Sequence, residues 1–181
     1  MEREIAATKS WLKNVVIGMN FCPFAALPYK KGEVLFILDK KNNDELRLGT
    51  LVSQLSAMDN DESIETTLII YPDHYKDFYD YLDWVSLCEN AIEELGYEGV
   101  YQVASFHPQY IFEGSELNDA ANYTNRSPYP MVHLIREDSV EKARETHPDI
   151  ESVPNTNIKK ARKKGLESMK LLLASCFSNL N

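Results

Sequence analysis

The chain has 181 residues, of which 44% are hydrophobic and 26% charged, and its formal net charge is −9. This length and balance are typical of one globular domain and exclude an intrinsically disordered chain. The acidic charge argues against nucleic acid or an anionic membrane surface as a partner, because phosphate groups attract clustered Lys and Arg. The one basic cluster, residues 159–164, is interpreted as the solvated face of a helix.

Cysteine usage and the N-terminal residues indicate the compartment. Cys22, Cys88 and Cys176 are odd in number, which suggests no disulfide framework and favours a reducing cytoplasm. Residues 1–11 are polar and helix-like, unlike a signal peptide, and no run approaches the roughly 18 apolar residues that cross a bilayer. We therefore expect a soluble, cytoplasmic protein.

The first half of the chain alternates predicted helices and strands. In chain order these are a helix over residues 2–17, a short helix near residue 23, a strand over 33–38, a helix around 48–55, a strand over 66–71 and a long helix ending near residue 95. Gly18 is the predicted stop of the first helix, and Pro23 is placed in the first turn of the short one. Asp73 and Gly96 are the predicted caps of the long helix.

The second half carries two strands around a long polar loop. In chain order the pattern predicts a strand over residues 100–106, a loop, a strand over 131–136, a short helix closed by Pro148 and a final helix from Thr156. Asp138 and Glu141 have capping-box spacing at the start of the short helix. The Tyr129–Pro130 bond is left open between cis and trans.

This order, αβαβαββαα, predicts an α/β or α+β fold: a single-domain sandwich in which helices pack on a sheet of about four strands. Helical crossovers predict parallel pairing of the early strands. The third and fourth strands are joined by a loop and could pair either way. Strand order does not follow from the pattern.

Four motifs carry a resemblance to a known family. NFCPFA near the N-terminus, QVASFHP, TNRSPYP and HLIRE, in that order, resemble an uncharacterised bacterial group, domain-of-unknown-function family 1415. The likeness extends from Gly18 to about Gly165. Departures at apolar positions and at Glu113 leave the polar positions unchanged. The resemblance implies a shared site location between residues 99 and 137 and no particular chemistry.

The polar groups of that region are the candidate site. His107 directly follows a predicted strand, where α/β proteins place ligands, and a His is suited to acid or base catalysis near neutral pH. Arg126 precedes two prolines on a stiff turn and suits bidentate capture of a carboxylate or phosphate, with Asn122, Asn125 and Ser127 as neighbouring donors. The alternative is that His107 and Arg126 bond only to their own loop.

Three further residues allow both a functional and a structural interpretation. Arg136 at the end of the fourth strand is suited to the site or to an ion pair. His133 alternates with Met131 and Ile135 on one strand face and is interpreted as a satisfied core histidine. Cys22, near a predicted helix start, is a candidate nucleophile if His107 lies close to it; the alternative is a buried, inert thiol.

Two functional hypotheses follow. The first is an enzyme acting on a small anionic metabolite, a carboxylate or a phosphate, through Arg126 and His107. The second is a non-catalytic ligand-binding or interaction module in which the same residues brace the loop. No cofactor is predicted, and the scattered candidate ligands lack metal-site spacing, so no metal is expected. A pocket where His107 and Arg126 converge with free donors would favour the enzyme, and mutual satisfaction of those groups would favour the brace.

Overall fold

The computed structural model describes residues 2–146 and 149–178. Its α-helices are α1 (Arg3–Trp11), α2 (Ala26–Lys31), α3 (Asp44–Asn60), α4 (Phe78–Glu94), α5 (Glu137–Thr146), α6 (Val153–Lys164) and α7 (Leu166–Ser175). Its strands are β1 (Val34–Leu38), β2 (Thr66–Ile70), β3 (Tyr101–Phe106) and β4 (Met131–Arg136). A π-helical segment covers Leu12–Ile17, and 3₁₀ turns cover Ala120–Thr124 and Ile150–Ser152.

The four strands form one mixed sheet in the order β1-β2-β4-β3. β1 and β2 are parallel, as their helical crossover predicted, whereas β4 runs antiparallel to both β2 and β3. The register places His133 of β4 opposite Leu68 of β2 and Ala104 of β3. The carboxyl ends of β1, β2 and β3 therefore lie at one edge of the sheet.

Alternation along the strands divides the core into two layers. On one face Ile69, Val132 and Leu134 pack with α3 and α4. On the other face Leu68 and Met131 pack with the N-terminal helix and with the C-terminal helices. Because apolar side chains emerge on both faces, each face needs its own cover. The predicted sandwich of helices on a four-stranded sheet is confirmed.

The N-terminal helix differs from the prediction in its last turn and a half. It winds as a π-helix from Leu12, and the N–H of Gly18 bonds the carbonyl oxygen of Lys13, five residues back, at 3.0 Å. Gly18 has an ordinary φ of −61°. A Cβ at this position would lie 2.4 Å from the carbonyl oxygen of Asn14, so Gly18 is needed for space and not for a left-handed turn.

Several predicted boundaries were wrong. The long helix begins at Phe78 and is capped by the Asp77 carboxylate, which accepts from the Tyr79 N–H at 2.8 Å; Asp73 is not its cap. Helix α5 begins at Glu137 with no intervening turn, so Asp138 lies inside its first turn. The predicted end at Pro148 lies outside the described residues.

Two other differences concern glycine and proline. The final helix is two helices, separated at Gly165, whose φ of +85° interrupts the helical backbone. The short helix begins at Ala26, three residues after Pro23. The Tyr129–Pro130 bond is trans, since no cis peptide is found in the described residues.

None of the helices in residues 2–146 and 149–178 combines the length and apolar character needed to cross a bilayer.

Candidate functional site

His107 follows β3 as predicted, and only 1% of its surface is exposed. Its Nε2 donates to the carbonyl oxygen of Tyr75 at 2.8 Å, and its Nδ1 accepts from the backbone N–H of Gln109 at 3.0 Å. Both ring nitrogens are thus engaged, in a neutral tautomer. Burial lowers the pKa of His107, which keeps the ring neutral at pH 7.

Arg126 is also enclosed, with 9% of its surface exposed. Its Nε donates to the carbonyl oxygen of Tyr110 at 3.1 Å, and Nη2 donates to that of Leu117 at 3.0 Å. The guanidinium carbon lies 4.6 Å from the ring centroid of Tyr123. The planar fork therefore joins three points of its own loop.

The buried Asn122 side chain connects two turns of the same loop. Its Oδ1 accepts from the backbone N–H of Phe112 at 3.1 Å, and its Nδ2 donates to the carbonyl oxygen of Glu116 at 2.9 Å. Donor and acceptor of the amide are both used inside the protein. The Asn122 amide thus holds two turns of the loop together.

Asn125 and Ser127 are used in the same way. Asn125 Nδ2 donates to the carbonyl oxygen of Ser105 at 3.2 Å, which joins the loop to β3. Ser127 Oγ donates to the carbonyl oxygen of Tyr129 at 2.7 Å. Each side chain thus donates to a carbonyl oxygen of the protein itself.

Arg136 lies apart from these residues, on the sheet face covered by α3 and α4. It donates to the carbonyl oxygens of Met58 and Ile64 and, at 3.1 Å, to the hydroxyl of Tyr101. These bonds close the end of α3 and the turn after it onto the sheet. The structure does not bring Arg136 together with Arg126.

We call residues 107–127 the brace segment. It is fixed from outside by Trp11, whose Nε1 donates to the carbonyl oxygen of Arg126 at 2.9 Å, and by Arg162 of α6, whose Nη2 lies 2.6 Å from Asp119 Oδ2. The hydrogen bonds from Arg162 hold the pKa of Asp119 at about 2. These two contacts tie the brace segment to the N-terminal helix and to α6.

A surface groove of about 500 Å³ borders the brace segment. Arg126 lines it together with Gln109, Asn118 and Asp77. His107 is not among the described residues that line the groove. His107 and Arg126 therefore do not converge on this groove, the arrangement that would have favoured the enzyme.

A separate cavity of about 250 Å³ lies against the other face of the sheet. Its floor is formed by β2, β3 and β4, and its walls by the N-terminal helix, by the segment around α2 and by α5. The lining is mostly apolar, and it is formed by Trp11, Leu12, Val16, Cys22, Phe24, Ala25, Pro28, Val34, Glu65, Thr66, Leu68, Ala104, Phe106, His133, Ile135, Ser139, Val140, Ala143 and Ile150. A concave, apolar cavity with few polar groups is the usual form of a small-molecule site.

His133 lies on the floor of this cavity, and its Nε2 contacts the hydroxyl of Thr66. That hydroxyl donates its one proton to the carbonyl oxygen of Leu134 at 2.6 Å. Thr66 must therefore accept from His133, which makes the ring an Nε2–H tautomer. Burial lowers the pKa of His133 to about 4, so the imidazole is neutral at pH 7.

Cys22 lines the same cavity, in the turn before α2. Burial raises the pKa of its thiol, although the backbone N–H groups of Phe24 and Ala25 act in the opposite direction. The thiol is thus protonated at neutral pH, a weak nucleophile. The histidine that shares the cavity with Cys22 is His133, whereas His107 is bonded to Tyr75.

Sequence reasoning placed His133 on the correct strand face but treated that face as filled core. The signal it missed is Ala104, which the register sets directly beside His133 and which leaves room above the sheet.

Within the described residues, no group of three or more His, Cys, Asp or Glu side chains is arranged to hold a metal ion.

Comparison with known proteins identifies the family. The profile of the family described as Protein of unknown function (DUF1415) matches residues 3–171. Neither the curated proteins nor the solved structures include a match to this sequence. Because the profile covers nearly the whole chain, this protein belongs to the DUF1415 family.

Proposed function

We propose that this protein binds a small apolar molecule in the cavity between the sheet and the N-terminal helix. The observation that carries the proposal is the cavity of about 250 Å³, whose mostly apolar lining includes the neutral side chains of His133 and Cys22. This space is partly open to solvent, which gives a small molecule a way in, and its mostly apolar lining makes it a candidate site. For scale, an engineered cavity of about 150 Å³ binds benzene.

The brace segment supports this site indirectly. Trp11, one of the cavity residues, donates its indole N–H to the backbone carbonyl oxygen of Arg126 and packs edge-on to Phe106 at 5.0 Å between ring centroids. The contacts of Arg126 thus help to position a wall of the cavity. In this proposal the protein is a ligand-binding module, and the polar residues of 107–127 keep its binding wall in place.

A titration with apolar probes tests the proposal. Naphthalene, indole, indene and medium-chain alkanols should raise the melting temperature in a concentration-dependent manner, because a ligand that binds only the folded state stabilises it. Ala25→Leu adds a larger side chain at the cavity lining and should abolish this shift. The matched control is Ala26→Leu, at the exposed neighbouring position, which should leave it unchanged.

The outcomes are distinct. If the probes raise the melting temperature of Ala25→Leu and Ala26→Leu by the same amount, the probes do not bind in the cavity. No stabilisation by any probe of the wild-type protein would overturn the proposal. If Ala25→Leu fails to fold, Ala104→Val offers a second way to reduce the cavity from the sheet side.

A second candidate function is anion binding at the surface groove beside the brace segment, the remaining form of the anionic-metabolite hypothesis. It is favoured by one observation, that Arg126 lines this groove beside the amides of Gln109 and Asn118. Phosphate and citrate titrations monitored by melting temperature test it. Protection of the wild-type protein but not of Arg126→Lys is the expected result for a bidentate anchor.

A further inference from the structure

We propose that the cavity ligand is a neutral molecule carrying one hydrogen-bond donor, a hydroxyl or an N–H, which His133 Nδ1 accepts. This inference rests on the proposed function and names the chemical class of its ligand. It would make His133 the residue that selects among apolar molecules of similar size.

The first step is the tautomer of His133. Thr66 donates its only proton to the carbonyl oxygen of Leu134 at 2.6 Å, so it can offer Nε2 of His133 only a lone pair. Nε2 therefore carries the ring proton, and Nδ1 is left as an acceptor. Across residues 2–146 and 149–178 no hydrogen bond to Nδ1 is found.

The second step is the position of the ring. His133 lies between Leu68 and Ala104 in the sheet register, and all three line the cavity floor. In such apolar surroundings, a single acceptor discriminates strongly between ligands. A ligand donor that bonds to Nδ1 replaces the hydrogen bonds that it had with water, whereas a donor without a partner in the cavity loses them without replacement.

The third step concerns charge. The described residues that line the cavity include Glu65 but no Lys or Arg, and the imidazole is neutral, so an anionic ligand would find no compensating positive charge there. Burying an unpaired charge in an apolar cavity is strongly unfavourable. A neutral ligand with a single donor matches the chemistry of this lining.

Indole and indene form a matched pair of probes, since they have nearly the same shape and differ in an N–H in place of a CH₂. Dissociation constants for both are measured by calorimetry on the wild-type protein and on His133→Phe, a planar ring without the acceptor. The ratio of the indene constant to the indole constant should fall by about tenfold in the variant, the effect of one buried hydrogen bond. Comparing ratios cancels the different hydration of the two probes.

A second measurement keeps the inference testable if His133→Phe does not fold. The ¹⁵N resonance of His133 Nδ1 in the wild-type protein should move toward the hydrogen-bonded position on addition of indole and not on addition of indene. Equal responses to both probes, or an indene-to-indole ratio unchanged in His133→Phe, would overturn the inference while leaving the proposed function intact. Failure of both probes and of the other apolar molecules to bind would instead overturn the proposed function.

Discussion

Replacing Arg126 with lysine tests whether the brace segment stabilises the fold. In the structure Nε and Nη2 of Arg126 donate to the carbonyl oxygens of Tyr110 and Leu117 at 3.1 and 3.0 Å. A lysine ammonium keeps the charge but cannot reach both oxygens in the geometry of the guanidinium fork. One charge-assisted hydrogen bond is lost, so Arg126→Lys should lower the free energy of unfolding by about 1.5–3 kcal/mol.

A more disruptive substitution at the same position extends the series. Arg126→Met removes both hydrogen bonds and the cation–π contact with Tyr123, whose centroid lies 4.6 Å from the guanidinium. The expected loss is about 3–6 kcal/mol, which approaches the whole stability of an ordinary domain. Partial unfolding of this variant at room temperature would be consistent with that size.

Urea denaturation at neutral pH, without added anions, measures the series. The matched control is Arg162→Lys, because Arg162 binds Asp119 from a side chain that is 60% exposed and lysine keeps the ion pair; a change of less than about 0.5 kcal/mol is expected there. Limited proteolysis gives a second readout, since the brace segment should be cut sooner in Arg126→Lys. A change below about 0.5 kcal/mol in Arg126→Lys, within the range of ordinary surface substitutions, would refute the bracing role.

Three further predictions follow from individual side chains. Thr67→Val should leave stability unchanged or raise it, because the buried Thr67 hydroxyl has no hydrogen-bond partner among the described residues. Thr66→Val should instead lower the free energy of unfolding by about 1–3 kcal/mol, because the Thr66 hydroxyl bonds the carbonyl oxygen of Leu134, and equal urea midpoints for the two variants would contradict this. The pKa of His133 is lowered from 6.5 to about 4 in the folded state, so its contribution to stability should be complete above pH 6.5. The free energy of unfolding should then fall by up to roughly 3 kcal/mol as the pH drops to 4. An unchanged pH dependence in His133→Gln would show that another group is responsible. Gly18→Ala should destabilise the protein by about 1–3 kcal/mol in thermal unfolding, because its Cβ would lie 2.4 Å from the carbonyl oxygen of Asn14. Alanine normally favours helix over glycine, so a stabilised variant would show that the π-helical segment relaxes freely.

Local patterns determined the elements and the position of the polar loop. Period-two alternation from Met131 to Arg136 predicted β4 with its bounds and placed His133 and Arg136 on opposite faces, as found. A side chain's face follows from backbone geometry alone, so the pattern was sufficient. The same local information located the polar residues of 107–127 but could not distinguish a ligand site from a brace, because their carbonyl partners depend on how the loop folds back on itself.

Only the tertiary structure decided which residues share a site. Cys22 meets His133 in one cavity because the strand order β1-β2-β4-β3 and the course of the N-terminal helix bring distant segments to the same sheet face. That order depends on the burial of both sheet faces at once, which no single stretch of sequence encodes. The π-helical turn at Leu12–Ile17 is of the same kind, since its apolar spacing is compatible with an ordinary helix. Whether the half-buried His133 belongs to a filled core or to the floor of a cavity depends on its neighbour on the adjacent strand, Ala104, and that neighbour is set by the strand register.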